Sequence, residues 1–296
     1  MIFRGALLLL CYQPTRVVGY NTITIPAGQQ YALIAIPFDG IGADGISLYD
    51  LFGADPFENG FVGGGAAALS DQLQFWDGKT YKTLWLNGNS KALPLYKKWI
   101  NNGATGWGTA GQPTTKTIVG GESFWIKRYV ASTVDKSDKA AMAAALPAMT
   151  LTVAGQVIVR AGNQTEVDIN PGDGTSAGYT LISASFSAPF IPNPDKVDGT
   201  KAKINWFSYG CIGGGAAALS DQIQIWDGQT YKTLWLNGNE KAAPLYGWWI
   251  NNGATGWGAS GQPSTVQIDP TVGFWYKRVK TGTESFKLPI VQPYSL

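Results

Sequence analysis

A chain of 296 residues, 45% hydrophobic and 14% charged, holds enough apolar material for two cores of about 130 residues each. Its net charge of +2 comes from scattered Lys and Arg with no run of like charge, which argues against a nucleic-acid partner. Histidine is absent, so every Ser-His-Asp, Cys-His and His-metal arrangement is excluded.

High glycine (38), Trp (12) and Tyr (13) with sparse charge suit a turn-rich, all-β secreted or surface protein. The two cysteines, Cys11 and Cys211, are not repeat equivalents, since Phe61 holds the place of Cys211 in the first copy. A disulfide framework is therefore not expected. Residues 1–16 open with Arg4 and the apolar run Ala6 to Leu10, resembling a truncated signal peptide. The run is shorter than the ~20 residues a bilayer span needs. Leu8-Leu9-Leu10 before Cys11 lacks the small residue a lipidation site requires.

Gly19 to Pro26 alternates as a strand ending in a turn at Ala27-Gly28, and Tyr31 to Phe38 is a buried strand whose counterpart is Tyr179 to Phe186. Ile46 to Phe52 has helical spacing inside a segment expected to be a surface insertion. Residues 63–128 then return at 213–278 without a gap, and the first fifty-one positions differ at about nine places. The chain is a tandem duplication, so one surface is presented twice.

Within the repeat, Asp77-Gly78 between alternating runs predicts a β-hairpin, because both residues tolerate the positive φ of a tight turn. Side-chain parity places Leu73, Phe75, Lys82, Leu84 and Leu86 on one face. The other face carries Gln72, Gln74, Trp76, Tyr81, Thr83 and Trp85, repeated as Gln222, Gln224, Trp226, Tyr231, Thr233 and Trp235. Between copies the aliphatic face changes conservatively, Leu73 to Ile223 and Phe75 to Ile225, while the amide and aromatic face is unchanged. Three roles stay open for that face: core, protein assembly surface, or sugar-stacking platform. The downstream segment adds Trp99 and Trp107, repeated as Trp249 and Trp257, in what is expected to be an ordered recognition loop.

Ser132 to Met149, with an Asp138 cap and an Ala-rich run before Pro147, is expected to connect the two units, as a short capped helix or as a flexible Ala-rich linker. Leu151-Thr152-Val153 and Val157-Ile158-Val159 are expected to pair around Ala154-Gly155.

Catalytic motifs fail on spacing. Asp71 and Asp77 lie six strand positions apart, about 20 Å if extended, against roughly 5–9.5 Å for a glycosidase pair. Glu122 is Val272 in the other copy, and Gly63 to Ala68 lacks the ending of a phosphate loop, so a tight bend into a short helix is expected there. No cofactor is expected; Asp39-Gly40, Asp44-Gly45 and Asp173-Gly174 offer oxygen ligands to calcium without the spacing of a known loop.

YALIAIPF, DQLQFWDGKTYKT, a Trp and Gly loop, and GGESFWIKR, in that order, resemble uncharacterised secreted bacterial tandem-repeat β-domain proteins. The likeness covers Tyr31 to Arg128 and Tyr179 to Arg278; Asp269 to Gly273 departs from its Gly-Glu turn. It implies a domain type and carries no catalytic residues. The resulting expectation is an all-β chain of two tandem β-sandwich or barrel-like domains with short helical insertions: segment 1–16, domains 17–131 and 150–296, connector 132–149. Its expected role is non-enzymatic and extracellular or at the cell surface: self-assembly into a filament or surface layer through the duplicated aromatic faces. Bivalent carbohydrate binding is the alternative.

Overall fold

The computed structural model describes residues 17–41, 45–194, 204–242 and 244–294. Segment 1–16 with Cys11, and Asp44 of the possible calcium cluster, lie outside these residues.

In chain order the first half supplies β1 (Val18–Ile25), β2 (Tyr31–Ala35), β3 (Phe38–Asp39), β4 (Ile46–Ser47), α1 (Leu48–Phe52), β5 (Gln72–Trp76) and β6 (Tyr81–Leu86). It continues with β7 (Trp99–Asn101), β8 (Thr117–Ile118), β9 (Ser123–Lys127), α2 (Lys139–Ala145) and β10 (Met149–Val157). The second half supplies β11 (Gln164–Ile169), β12 (Gly178–Ile182), β13 (Gln222–Trp226), β14 (Tyr231–Leu236), β15 (Trp249–Asn251), β16 (Phe274–Arg278) and β17 (Phe286–Val291). The protein is mostly β, and all pairs between these strands are antiparallel.

Two five-stranded sheets share one order, β2-β9-β5-β6-β7 and β12-β16-β13-β14-β15. Each is backed by a ribbon, β1 with β10 in the first half and β11 with β17 in the second. The ribbons bury alternate residues: Ile23, Ile25, Met149, Leu151 and Val153 join one core with Leu73, Phe75 and Leu84. Ile169, Leu288 and Ile290 join the other with Ile223, Ile225 and Leu234.

The ribbons move the change-over between the halves. β10 occupies in the first half the place that β17 occupies in the second, so α2 sits inside the first half between β9 and β10, and the change-over falls at residues 158–163. Asp138 does cap α2, its carboxylate accepting from Ala140 N–H at 2.8 Å. The expected strand pair around Ala154-Gly155 is instead one continuous strand. Gly155 is there for close approach, since a Cβ on it would lie 2.5 Å from the Asp39 carbonyl of β3.

The segment around α1 is also more than a surface insertion, because Leu51 and Phe52 are buried and Phe52 packs edge-on to Phe61, with ring centres 5.0 Å apart. The glycine run at 63–65 bends into a 3₁₀ turn at Ala67–Leu69, as its sequence predicts.

Candidate functional site

The hairpin forms with the predicted parity. Trp76 pairs with Tyr81, Gln74 with Thr83 and Gln72 with Trp85, around a four-residue loop. The loop is held by the Asp77 carboxylate, which accepts from Thr80 N–H at 2.7 Å and Lys79 N–H at 2.9 Å, with Gly78 at φ 98°. Asp227 repeats these bonds in the second hairpin. Both carboxyls are held below the usual range by these backbone donors, so Asp77 and Asp227 serve their turns.

The aromatic faces of the two sheets meet each other inside the chain. Trp76 Nε1 donates to the Tyr179 carbonyl at 3.2 Å, and Trp226 Nε1 donates to the Tyr31 carbonyl at 3.0 Å. Trp76 packs edge-on against Trp275, centres 5.5 Å apart, and Trp226 against Trp125 at 5.8 Å. Leu33 and Leu181 fill the middle. Each copy thus gives the other the same residues, the pattern of a twofold contact folded into one chain. Polar bonds frame it: Ser123 Oγ donates to the Ile182 carbonyl at 3.1 Å, Ser183 Oγ to the Gly121 carbonyl at 2.7 Å, and Ala35 N–H to the Thr271 carbonyl at 2.8 Å.

The remaining candidates divide by burial. The indoles of Trp99 and Trp249 lie in the cores and offer no ring face to a ligand. Trp107 and Trp257 are partly buried against the cores; Trp107 lies edge-on to Phe75 at 5.0 Å. Gln72 and Gln222 are buried, donating to the Ala67 and Ala217 carbonyls at 2.7 Å, and each accepts from Gln74 or Gln224. Tyr81 and Tyr231 stay exposed, while Thr83, Trp85, Thr233 and Trp235 are half-buried. The loop carrying Trp107 is ordered by Asn101, whose Nδ2 donates to the Gly108 and Ala104 carbonyls at 2.8 and 2.9 Å; Asn251 does the same.

Sequence reasoning passed over Trp125 and Trp275. Their signal was present: both occupy the same alternating Phe-Trp segment of the repeat, on the parity of the aromatic face.

Behind the faces lies a buried carboxylate in each half. Burial pushes the Asp71 carboxyl up to about 6, against the partial relief of N–H donors from Tyr129 (2.6 Å) and Val62 (2.9 Å). A carboxyl whose folded value exceeds its unfolded ~3.9 favours the fold while protonated, so its contribution is full below pH ~4 and lost as pH rises through 6. The loss is about 3 kcal/mol. A carbon-13 titration of the Asp71 carboxyl is expected to show a midpoint near 6. A midpoint within the ordinary aspartate range would remove this destabilising window.

Among the described residues, no group of three or more Cys, Asp and Glu side chains is placed to hold a metal, and no helix is long and apolar enough to cross a membrane. No protein-family model, curated protein or solved structure matches the chain.

Proposed function

We propose that this is a non-enzymatic extracellular structural protein that joins copies of itself, and that β1 is the strand through which it does so. The observation carrying this reading is the free edge of β1. β1 pairs on one side with β10, and among the described residues nothing pairs with its other side. Val18 to Ile25 carries no charge and no proline, and Val18 and Tyr20 are exposed upon it. An edge left this way is a template for another strand. The corresponding ribbon of the second half is guarded by Glu166, Asp168, Lys287 and Pro289.

Val157 N–H donates to the Val17 carbonyl, so odd-numbered residues of this stretch bond to β10 and even-numbered ones point their N–H and C=O outward. Two copies of β1 pair antiparallel about a twofold axis. Trp85 and Trp235, half-exposed outside the contact between halves, supply the second contact that a filament or surface layer needs. Two further features favour tandem sandwich-like domains of the secreted bacterial repeat type: the strand order common to both halves, and an apolar core in each.

The test is light scattering of the full chain across a concentration series. Apparent mass is expected to rise from 31.6 kDa towards twice that and beyond. Thr22→Pro removes an outward-pointing N–H without touching the β10 ladder and is expected to hold the protein monomeric at unchanged thermal stability. A wild-type chain that stays monomeric throughout rejects the reading. Bivalent carbohydrate binding would then gain, because Gln74, Thr83 and Trp85 recur as Gln224, Thr233 and Trp235, and a glycan array would follow.

A further inference from the structure

The halves differ in what fills the space beside β7 and β15. In the second half Asn193 enters the ladder between β15 and the segment returning beside it. Its Oδ1 accepts from Trp249 N–H at 2.9 Å, while its Nδ2 donates to the Trp249 carbonyl at 2.7 Å and the Ser264 carbonyl at 2.9 Å. The side chain completes a ladder that the backbone leaves open.

The first half has the same opening. Thr114 N–H donates to the Trp99 carbonyl at 2.9 Å, as Ser264 N–H does to Trp249. Trp99 N–H points away from β6, because the β6–β7 bonds pass through Asn87 N–H to the Lys98 carbonyl and so skip residue 99. No acceptor for it occurs among the described residues. Ile46 pairs with Ile118 as Phe190 does with Ile268, but beyond that pair the first half turns into α1, whose Tyr49 borders the opening, where the second half runs on without a helix to Asn193. In place of an amide there is a cavity of about 170 Å³, lined among others by Ser47, Tyr49, Lys98, Trp99 and Thr114. One water needs only roughly 10–15 Å³ of such space.

We propose that this cavity is a binding site for asparagine, held by its side-chain carboxamide. The backbone asks for one acceptor, facing Trp99 N–H, and two donors, facing the Trp99 and Thr114 carbonyls. A primary carboxamide supplies that set; a carboxylate lacks the donors and an ammonium lacks the acceptor. The rim favours the free amino acid. Lys97 is bonded to Asp55 and Lys116 to Glu122, whereas the exposed Lys98 has no carboxylate partner among the described residues and can take the α-carboxylate. This site is independent of how copies associate.

The experiment is a titration of the nitrogen-15-labelled full chain with L-asparagine, following the Trp99 backbone amide. The expected result is a saturable shift with Kd on the order of 1 mM, as befits a ligand of few atoms. L-aspartate should bind at least tenfold more weakly, since it presents no donors to the two carbonyls. Trp249, already bonded to Asn193, should stay still. An unmoved Trp99 amide, or equal responses to asparagine and aspartate, would each overturn the proposal and leave the cavity to water.

Discussion

Trp76→Ala combined with Trp226→Ala is expected to unlatch the two halves, lowering stability by about 4–6 kcal/mol in total. Each ring joins one edge-on aromatic pair across the contact, with Trp275 or Trp125, and donates one hydrogen bond to a carbonyl of the opposite half. Truncation removes the pair, leaves the Tyr179 carbonyl only its bond from Asn170 Nδ2 and the Tyr31 carbonyl only that from Gln29 Nε2, and opens the Leu33 and Leu181 contact to water. Because each half has its own core, the loss falls on the coupling between them. Calorimetry should resolve the single transition of the wild type into two. Trp→Phe at both positions keeps an aromatic ring while removing the N–H and part of the indole's area, so a milder effect of about 1–2 kcal/mol per site is expected. A double Ala variant melting in one unshifted transition would show the contact to be incidental to stability.

Asp221→Ala is the second large effect, expected to cost about 3–5 kcal/mol. Asp221 is fully buried; its Oδ2 accepts from Tyr276 O–H and Arg278 Nη1, both at 2.7 Å, and from Ile212 N–H at 2.9 Å, and its Oδ1 accepts from Val279 N–H at 2.9 Å. Without it the buried Arg278 guanidinium loses its counter-charge and keeps only carbonyl partners, Gly210 and Gly282. The corresponding pair in the first half is looser. Ile126 replaces Tyr276, and Arg128 turns its Nη1 to the Pro147 carbonyl at 2.7 Å. Asp71→Ala should therefore cost less, about 1–3 kcal/mol from two unpaired backbone N–H groups. Urea denaturation of both variants at pH 7 gives the order. An Asp71→Ala loss equal to or greater than the Asp221→Ala loss would mean that the ion pair adds nothing beyond the backbone bonds.

Much of the site was legible because its signals are local. Asp77-Gly78 sets the turn within four residues, and alternation along Gln72 to Trp76 assigns each side chain to a face. Trp99 shows the limit. Its setting among Asn and Gly residues points to an ordered recognition loop, yet it lies on a short strand and is buried. β10 shows another. Met149 to Val157 alternates clearly, but nothing local says that its partner is Val18 to Ile25 rather than a strand of the following half.

The sequence by itself determined the duplication, the β class, the hairpins, the two faces of each sheet, and the exclusion of histidine chemistry. Only the tertiary structure decided what covers the aromatic faces, which half owns β10, and where one half leaves open the gap that the other fills with Asn193. The physical reason is that strand periodicity and turn chemistry act over a few residues, whereas burial and ladder pairing are set by segments about a hundred positions away, which composition and alternation do not encode.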